Sequence, residues 1–290
     1  MKHIAALSFT VITLVSCSAN FTAFIGQGRS SRLSSAVTLA YSGATMNAWL
    51  QNPGLSYIQA YVRFKDDLPP DVIFGTDQEL LDGVDNPKYI SGGDWMGFIG
   101  LQRTGALWVA AGTAETSSGK PSISRSWKIQ TLNAPLKPET WYRIRTVVDF
   151  GQRTFTEFMI SGDGLNQTVD LSTNMLDYPN YMPFDKRTMT YYVHAMRGRD
   201  MAKESGAPAV YFDDIEAGII SNGVDLPVIV SDLETQTSVG AQPIVLPVIR
   251  VSNYTQGLWY LERDESLIRI ERQPFARSGN AVIACDATLF

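Results

Sequence analysis

From Ala36 onward, apolar residues recur in short runs at every second position. That is the period of a strand, whose successive side chains point to opposite faces of a sheet. In Tyr57–Phe64 (YIQAYVRF), Ile58, Ala60, Val62 and Phe64 form an apolar set, and Tyr57, Gln59, Tyr61 and Arg63 a more polar one. The apolar set is predicted to face a core. Ala36–Tyr41 is a shorter run of the same kind. Gly97–Gln102 and Ala106–Ala111 predict a hairpin across Arg103-Thr104-Gly105. Ser124–Gln130 and Trp141–Phe150 follow, separated by the turn region Pro135–Pro138. Thr154–Ile160 is expected to pair back onto Trp141–Phe150 across a tight turn at Asp149–Arg153, and Thr188–Met196 and Ala209–Glu216 complete the set. Glycine- and proline-bearing loops separate the runs. No segment sustains apolar residues at i, i+3, i+4 and i+7 between capping signals, so no long helix is predicted. The pattern predicts an all-β chain folded as an antiparallel β-sandwich of the jelly-roll type.

Val224–Phe290 is again strand-like (LPVIVS, PIVLPVIRV, LWYLER, SLIRIER, AVIACDA). Pro227, Pro243 and Pro247 belong at strand starts or edges, because proline cannot donate to a ladder. A boundary is expected at Ser221-Asn222-Gly223. Residues 222–290 then form either a small C-terminal β module or an extension that lends strands to the main sandwich of residues 36–221.

Three stretches carry a family resemblance: GFIGLQRTGALWVAAGT (97–113), WYRIRTVVDFGQRTFTEFMISGDG (141–164) and VYFDDIE (210–216). With the Tyr57–Phe64 strand, they make residues 36–220 similar to the concanavalin A-like lectin and glucanase superfamily, including its laminin G-like members. The resemblance implies a β-sandwich and a carbohydrate ligand. The Glu-x-Asp-x-x-Glu strand of the hydrolytic members and the Gln-Ile-His strand of the alginate-lyase-like members are both missing. The implied function is therefore binding of a polysaccharide or cell-wall glycan. The alternatives are a polysaccharide lyase or glycoside hydrolase with diverged catalytic residues, and a structural or adhesive envelope lipoprotein.

Composition adds location. The formal net charge of −5 disfavours a phosphate backbone as partner, so no nucleic acid is expected. Met1-Lys2-His3 and the apolar run Ile4–Val15 read as a signal peptide over residues 1–16, too short for a bilayer span. Leu14-Val15-Ser16-Cys17 resembles a bacterial lipobox, so Cys17 is expected to carry lipid, with residues 17–35 as a tether. The membrane is then met through the lipid anchor only, at the outer membrane or cell surface. Without the lipobox the same signal predicts secretion. Of the two cysteines, Cys285 reads as a buried, inert thiol.

Candidate chemistry gathers in two places. Gly75–Trp95 (GTDQELLDGVDNPKYISGGDW) reads as a long acidic loop with aromatic neighbours. Asp77, Glu79, Tyr89, Asp94 and Trp95 are its candidate glycan ligands, since a sugar needs a flat apolar surface for its C–H face and fixed acceptors for its hydroxyls. Trp95 is expected to be exposed. Calcium takes six to eight oxygen ligands, and Asp82, Asp85 and Asp213 are the candidates for it; otherwise no cofactor is expected. The second place is Thr188–Met196, where Tyr192 and His194 share a face with Arg197 nearby. These three are the lyase candidates, with Tyr or His abstracting a proton beside a uronate carboxylate. The alternative for His194 is a hydrogen-bonded sheet residue, because position alone cannot give it a pKa near neutrality. Glu79 with a second carboxylate is the hydrolase alternative.

Overall fold

The computed structural model describes residues 35–42, 54–82, 93–117, 126–178, 188–196, 209–231, 247–248, 256–262, 268–272, 277–278 and 281–286. In chain order the strands begin β1 (Ser35–Ser42), β2 (Leu55–Phe64), β3 (Ile73–Asp82), β4 (Gly93–Met96), β5 (Ile99–Leu101) and β6 (Ala106–Ala111). They continue β7 (Ser126–Thr131), β8 (Tyr142–Asp149), β9 (Thr154–Gly162), β10 (Leu165–Asp170), β11 (Thr188–Met196) and β12 (Ala209–Ser221). The chain closes with β13 (Val224–Ser231), β14 (Pro247–Val248), β15 (Gln256–Glu262), β16 (Ile268–Arg272) and β17 (Ala281–Asp286). Among the described residues a helical turn, Ala114–Ser117, lies between β6 and β7.

Two antiparallel sheets form a sandwich. The nine-stranded sheet runs β14-β15-β1-β11-β3-β5-β6-β7, with β4 beside β3. The eight-stranded sheet runs β10-β9-β8-β2-β12-β17-β16, with β13 also on β12. Between them lies one large apolar cluster. It includes Ile58, Ala60, Val62 and Phe64, as the alternation of β2 predicts, together with Phe74, Leu101, Leu107, Val109, Ile144, Phe158, Val193 and Phe212. Phe212 is core while Tyr211 packs on the opposite face of β12.

Polar pairs also cross the sandwich. Thr76 and Thr146 share a hydroxyl hydrogen bond of 3.0 Å, and Gln78 Nε2 donates to the Thr146 carbonyl at 3.1 Å. Ser56 and Tyr191 join the sheets at 3.1 Å, and both hydroxyls reach the Gly218 carbonyl. Buried groups of this kind need partners, and here the hydroxyls and the Gln78 amide N–H find them within the sandwich.

The boundary expected at residues 221–223 is instead a hairpin. Ser221 pairs with Val224, and the two-residue loop between them has Asn222 at φ 51° and Gly223 at φ 74°. Two positive φ values are what a type I′ turn requires, and Asn-Gly meets that need best. Asp163-Gly164 joins β9 to β10 in the same way, with φ 46° and 78°. The C-terminal strands then enter both sheets: β13 and β17 pair with β12, and β15 with β1. The described strands of residues 222–290 thus lie beside β1 and β12 in the two sheets.

Candidate functional site

The outward face of the nine-stranded sheet collects chemistry that the chain spreads over 120 residues. On β3, Phe74, Thr76, Gln78 and Leu80 turn inward, so Asp77 and Glu79 turn outward. Tyr192 lies opposite Asp77 in the register and His194 opposite Gly75, which puts Tyr192 and His194 on that same outward face. Met96 sits opposite Glu79. Leu107 and Val109 fill the core from β6, so Trp108 and Ala110 face outward, and Trp127 pairs with Ala110.

Within this face the Tyr192 hydroxyl donates to Glu79 Oε2 at 2.8 Å. Asp77, Glu79, Tyr192 and His194 are all buried, at 0–1% exposure. His194 stacks on Phe98 with ring centres 4.2 Å apart and 20° between planes, and its Nε2 lies 3.2 Å from the Ile99 carbonyl oxygen. Gly75 makes that contact possible: a Cβ there would stand 2.3 Å from the same oxygen. Burial pulls the His194 pKa down to about 3, against the opposing effect of backbone hydrogen bonds to Ile99 and Thr76. His194 is thus a neutral imidazole near pH 7, held in the sheet by stacking and a backbone contact. Tyr192 and His194 do share a face, as expected, but it is a buried floor. Arg197 lies outside the described residues.

An aromatic row leads from this floor to the sheet's edge. Phe98 meets Trp127 edge to face at 5.7 Å, and Trp127 meets Trp108 at 5.8 Å. Trp108 and Trp127 are half-buried, and Ile129 beyond them is 54% exposed. The Trp108 indole N–H donates to Gln102 Oε1 at 3.1 Å, which fixes the ring plane. Strand parity of ALWVAA already turns Trp108 away from the core.

The acidic loop is corrected. Its first part is strand β3 and its last part strand β4, joined in register from Glu79–Met96 to Asp82–Gly93. Trp95 is 3% exposed and belongs to the core. It stacks on Tyr178 at 4.6 Å, and the Arg153 guanidinium lies 3.6 Å over its ring. It cannot serve as an exposed platform in this arrangement. Tyr89 and Asp85 lie outside the described residues, as do the side chains of Asp82 and Asp94.

Asp213 pins a connection. Its carboxylate accepts from the backbone N–H of Asp214 (2.8 Å), Arg277 (2.8 Å) and Ser278 (3.3 Å). Asp214, at φ 46° in a bulge of β12, pairs with Arg277 and accepts from the Ser278 hydroxyl at 2.5 Å. Burial raises the Asp213 pKa to about 6 despite those three donors. With its oxygens engaged by amides, Asp213 straps residues 277–278 to β12. Among the described residues, no three His, Cys, Asp or Glu side chains gather as a metal site.

No family model and no curated protein matches this chain. Among solved structures it is similar to the Scytalido-glutamic peptidase, at TM-score 0.35 and 8% identity over 89% of this chain and 100% of that one. It is also similar to an alginate lyase from Pseudomonas aeruginosa, at TM-score 0.32 and 11% identity, covering 62% of this chain and 68% of the other. An endo-β-1,4-glucuronan lyase from Trichoderma reesei gives TM-score 0.29 and 16% identity, over 59% and 76% of the two chains. Likenesses at these scores assign no activity; the sandwich stands on the strand pairings themselves.

Proposed function

We propose that this protein binds a polysaccharide or cell-wall glycan, and that the glycan lies along the Trp108–Trp127 ledge on the outward face of the nine-stranded sheet. One observation carries the reading. Two half-exposed indoles, one held by Gln102, lead without a break into a floor of Phe98, Tyr192 and Glu79. Indoles offer the flat apolar surface that a sugar's C–H face needs, and they combine that surface with a polar edge. This site replaces the 75–95 loop. Export through the N-terminal signal and lipidation of Cys17 complete the proposal, placing the ledge at the cell surface.

A second reading is supported by the Tyr192–Glu79 hydrogen bond beside Asp77. A phenol and two carboxylates on one face are the materials of acid–base chemistry on a glycosidic or uronate centre. Binding at the ledge uses side chains that already meet solvent, whereas catalysis requires the buried trio to be uncovered. Binding is therefore the reading the geometry supports better. A glycan-array screen of the full chain, with and without calcium, tests both. Retention without turnover supports binding. Release of shortened or unsaturated sugars that stops in Glu79→Gln supports catalysis.

A further inference from the structure

The opposite sheet carries a groove that the reading above does not use. It crosses the outward face of the eight-stranded sheet with a volume of about 320 Å³, and its walls include Arg143, Arg145, Met159, Ser161, Asn166 and Thr168. That volume is near the lower end of the roughly 300–1,000 Å³ of small-molecule sites. The register explains the grouping. Arg145 lies opposite Met159 and Arg143 opposite Ser161, while Thr168 and Asn166 continue the same two rows on β10. Gln59 extends the first row onto β2. The walls of the groove thus come from three neighbouring strands, β8, β9 and β10, or two spacings of about 4.8 Å. Its length suits a short oligosaccharide better than a single ring.

The polar groups are set in advance. Gln59 Oε1 accepts from Arg143 at 2.7 Å and from Arg145 at 3.2 Å, so one amide oxygen holds both guanidiniums side by side. Arg145 is held further by a two-pronged ion pair with Asp225 at 2.7 and 2.8 Å, and by the Tyr57 ring 4.2 Å beneath it. That ion pair keeps the Asp225 carboxyl below the usual carboxylate range. The positive charge of Arg145 is thereby matched. Arg143, exposed on the neighbouring row, is held by the neutral Gln59; among the described residues it is bonded to no carboxylate, and Asp225 acts on it only through its charge. Ser161, Asn166 and Thr168 add hydroxyl and amide donors, and Met159 an apolar floor. A guanidinium held in place but bonded to no carboxylate can meet one with two parallel hydrogen bonds.

We infer that this groove binds an acidic glycan, with Arg143 taking the carboxylate of a uronic acid residue while Ser161, Asn166 and Thr168 meet its hydroxyls. The inference rests on the reading that the protein's ligands are glycans, but it assigns a second site on the opposite sheet. The test is calorimetric titration of the full chain with trigalacturonate, a hyaluronan tetrasaccharide, methyl-esterified trigalacturonate and acetate. At least one acidic oligosaccharide should bind, and more weakly as salt rises. The ester and acetate should each bind at least 10-fold more weakly. Arg143→Gln should lower the affinity for the acidic sugar 10-fold or more, while Lys128→Gln, which removes an exposed cation from the other sheet, leaves it unchanged. Both substitutions lie at solvent-facing positions, and an unchanged melting temperature checks the fold. Failure of both acidic probes, equal binding of the ester, or equal binding of acetate would overturn the proposal. Loss in Lys128→Gln with none in Arg143→Gln would place the acidic ligand on the other sheet, which overturns the groove and leaves the ledge reading standing.

Discussion

Replacing Trp95 with alanine should destabilise the fold far more than it changes ligand binding. The indole is 3% exposed and lies between the Tyr178 ring, 4.6 Å away, and the Arg153 guanidinium, 3.6 Å away. Removing a buried aromatic costs about 3–5 kcal/mol in transfer and cavity terms. Stacking beyond area burial is worth about 0.5–1.5 kcal/mol, and a desolvated cation–π contact about 2. These contributions overlap, so they do not simply add. The Arg153 charge, itself only 6% exposed, also loses the ring it rests on. We expect a loss of about 4 kcal/mol, which at roughly 2–4 °C per kcal/mol for a chain of this class lowers Tm by about 10 °C. Urea titration should show a lower midpoint with an unchanged slope, the mark of altered stability without altered compactness. Trp95→Phe, which keeps a ring in the stack, should recover more than half of the loss. A variant with unchanged Tm that no longer retains glycan would refute this placement of Trp95 and restore it as a platform.

Further outcomes test the buried polar groups and the export signal. His194, with its pKa held near 3, stays neutral while the unfolded chain gains a proton below about 6.5, so its contribution to stability is lost as pH falls through that window. Asp213 has the opposite sign: its raised pKa near 6 makes the folded state hold a proton that the unfolded chain has released, so stability falls as pH rises from about 4 to 6. Relative to wild type, Asp213→Asn should therefore gain stability, and His194→Gln lose it, on going from about pH 4 to 6; parallel curves in urea melts would contradict both assignments. A double-mutant cycle of Glu79→Gln with Tyr192→Phe should give a coupling energy of about 1–3 kcal/mol, and additivity would remove the hydrogen bond. Cys17→Ala should release a soluble product or leave unprocessed precursor, whereas unchanged membrane fractionation and processing would exclude lipidation there.

What could be read in advance follows from where the alternation is clean. YIQAYVRF puts four apolar side chains on one face, and β2 buries those four. IFGTDQELLD hides its strand because two of its inward positions, Thr76 and Gln78, are polar. Their partner, Thr146, comes from the other sheet, so no local pattern betrays them. With Asp77 and Glu79 between them, the stretch resembles a solvated loop. Trp95 was misplaced for the same reason: its stacking partners Tyr178 and Arg153 are distant in sequence. Asn222-Gly223 and Asp163-Gly164 were legible as hairpin turns by chemistry alone. The first was read as a boundary, because a strand-rich tail invites a second domain. His194 and Tyr192 were rightly set on one face by parity. Their burial depends on neighbouring strands, and the low pKa of His194 on that burial.

The most direct test of the ledge is affinity electrophoresis of wild type, Trp108→Ala and Trp127→Ala through gels carrying the polysaccharide that the array selects. Tryptophan anchors in binding faces commonly carry 2 kcal/mol or more, so each variant should bind roughly 30-fold more weakly or worse. Both should keep a melting temperature close to wild type, because neither indole is fully buried. Retention equal to wild type in both variants, with the fold intact, would contradict the claim that glycan is held on this face.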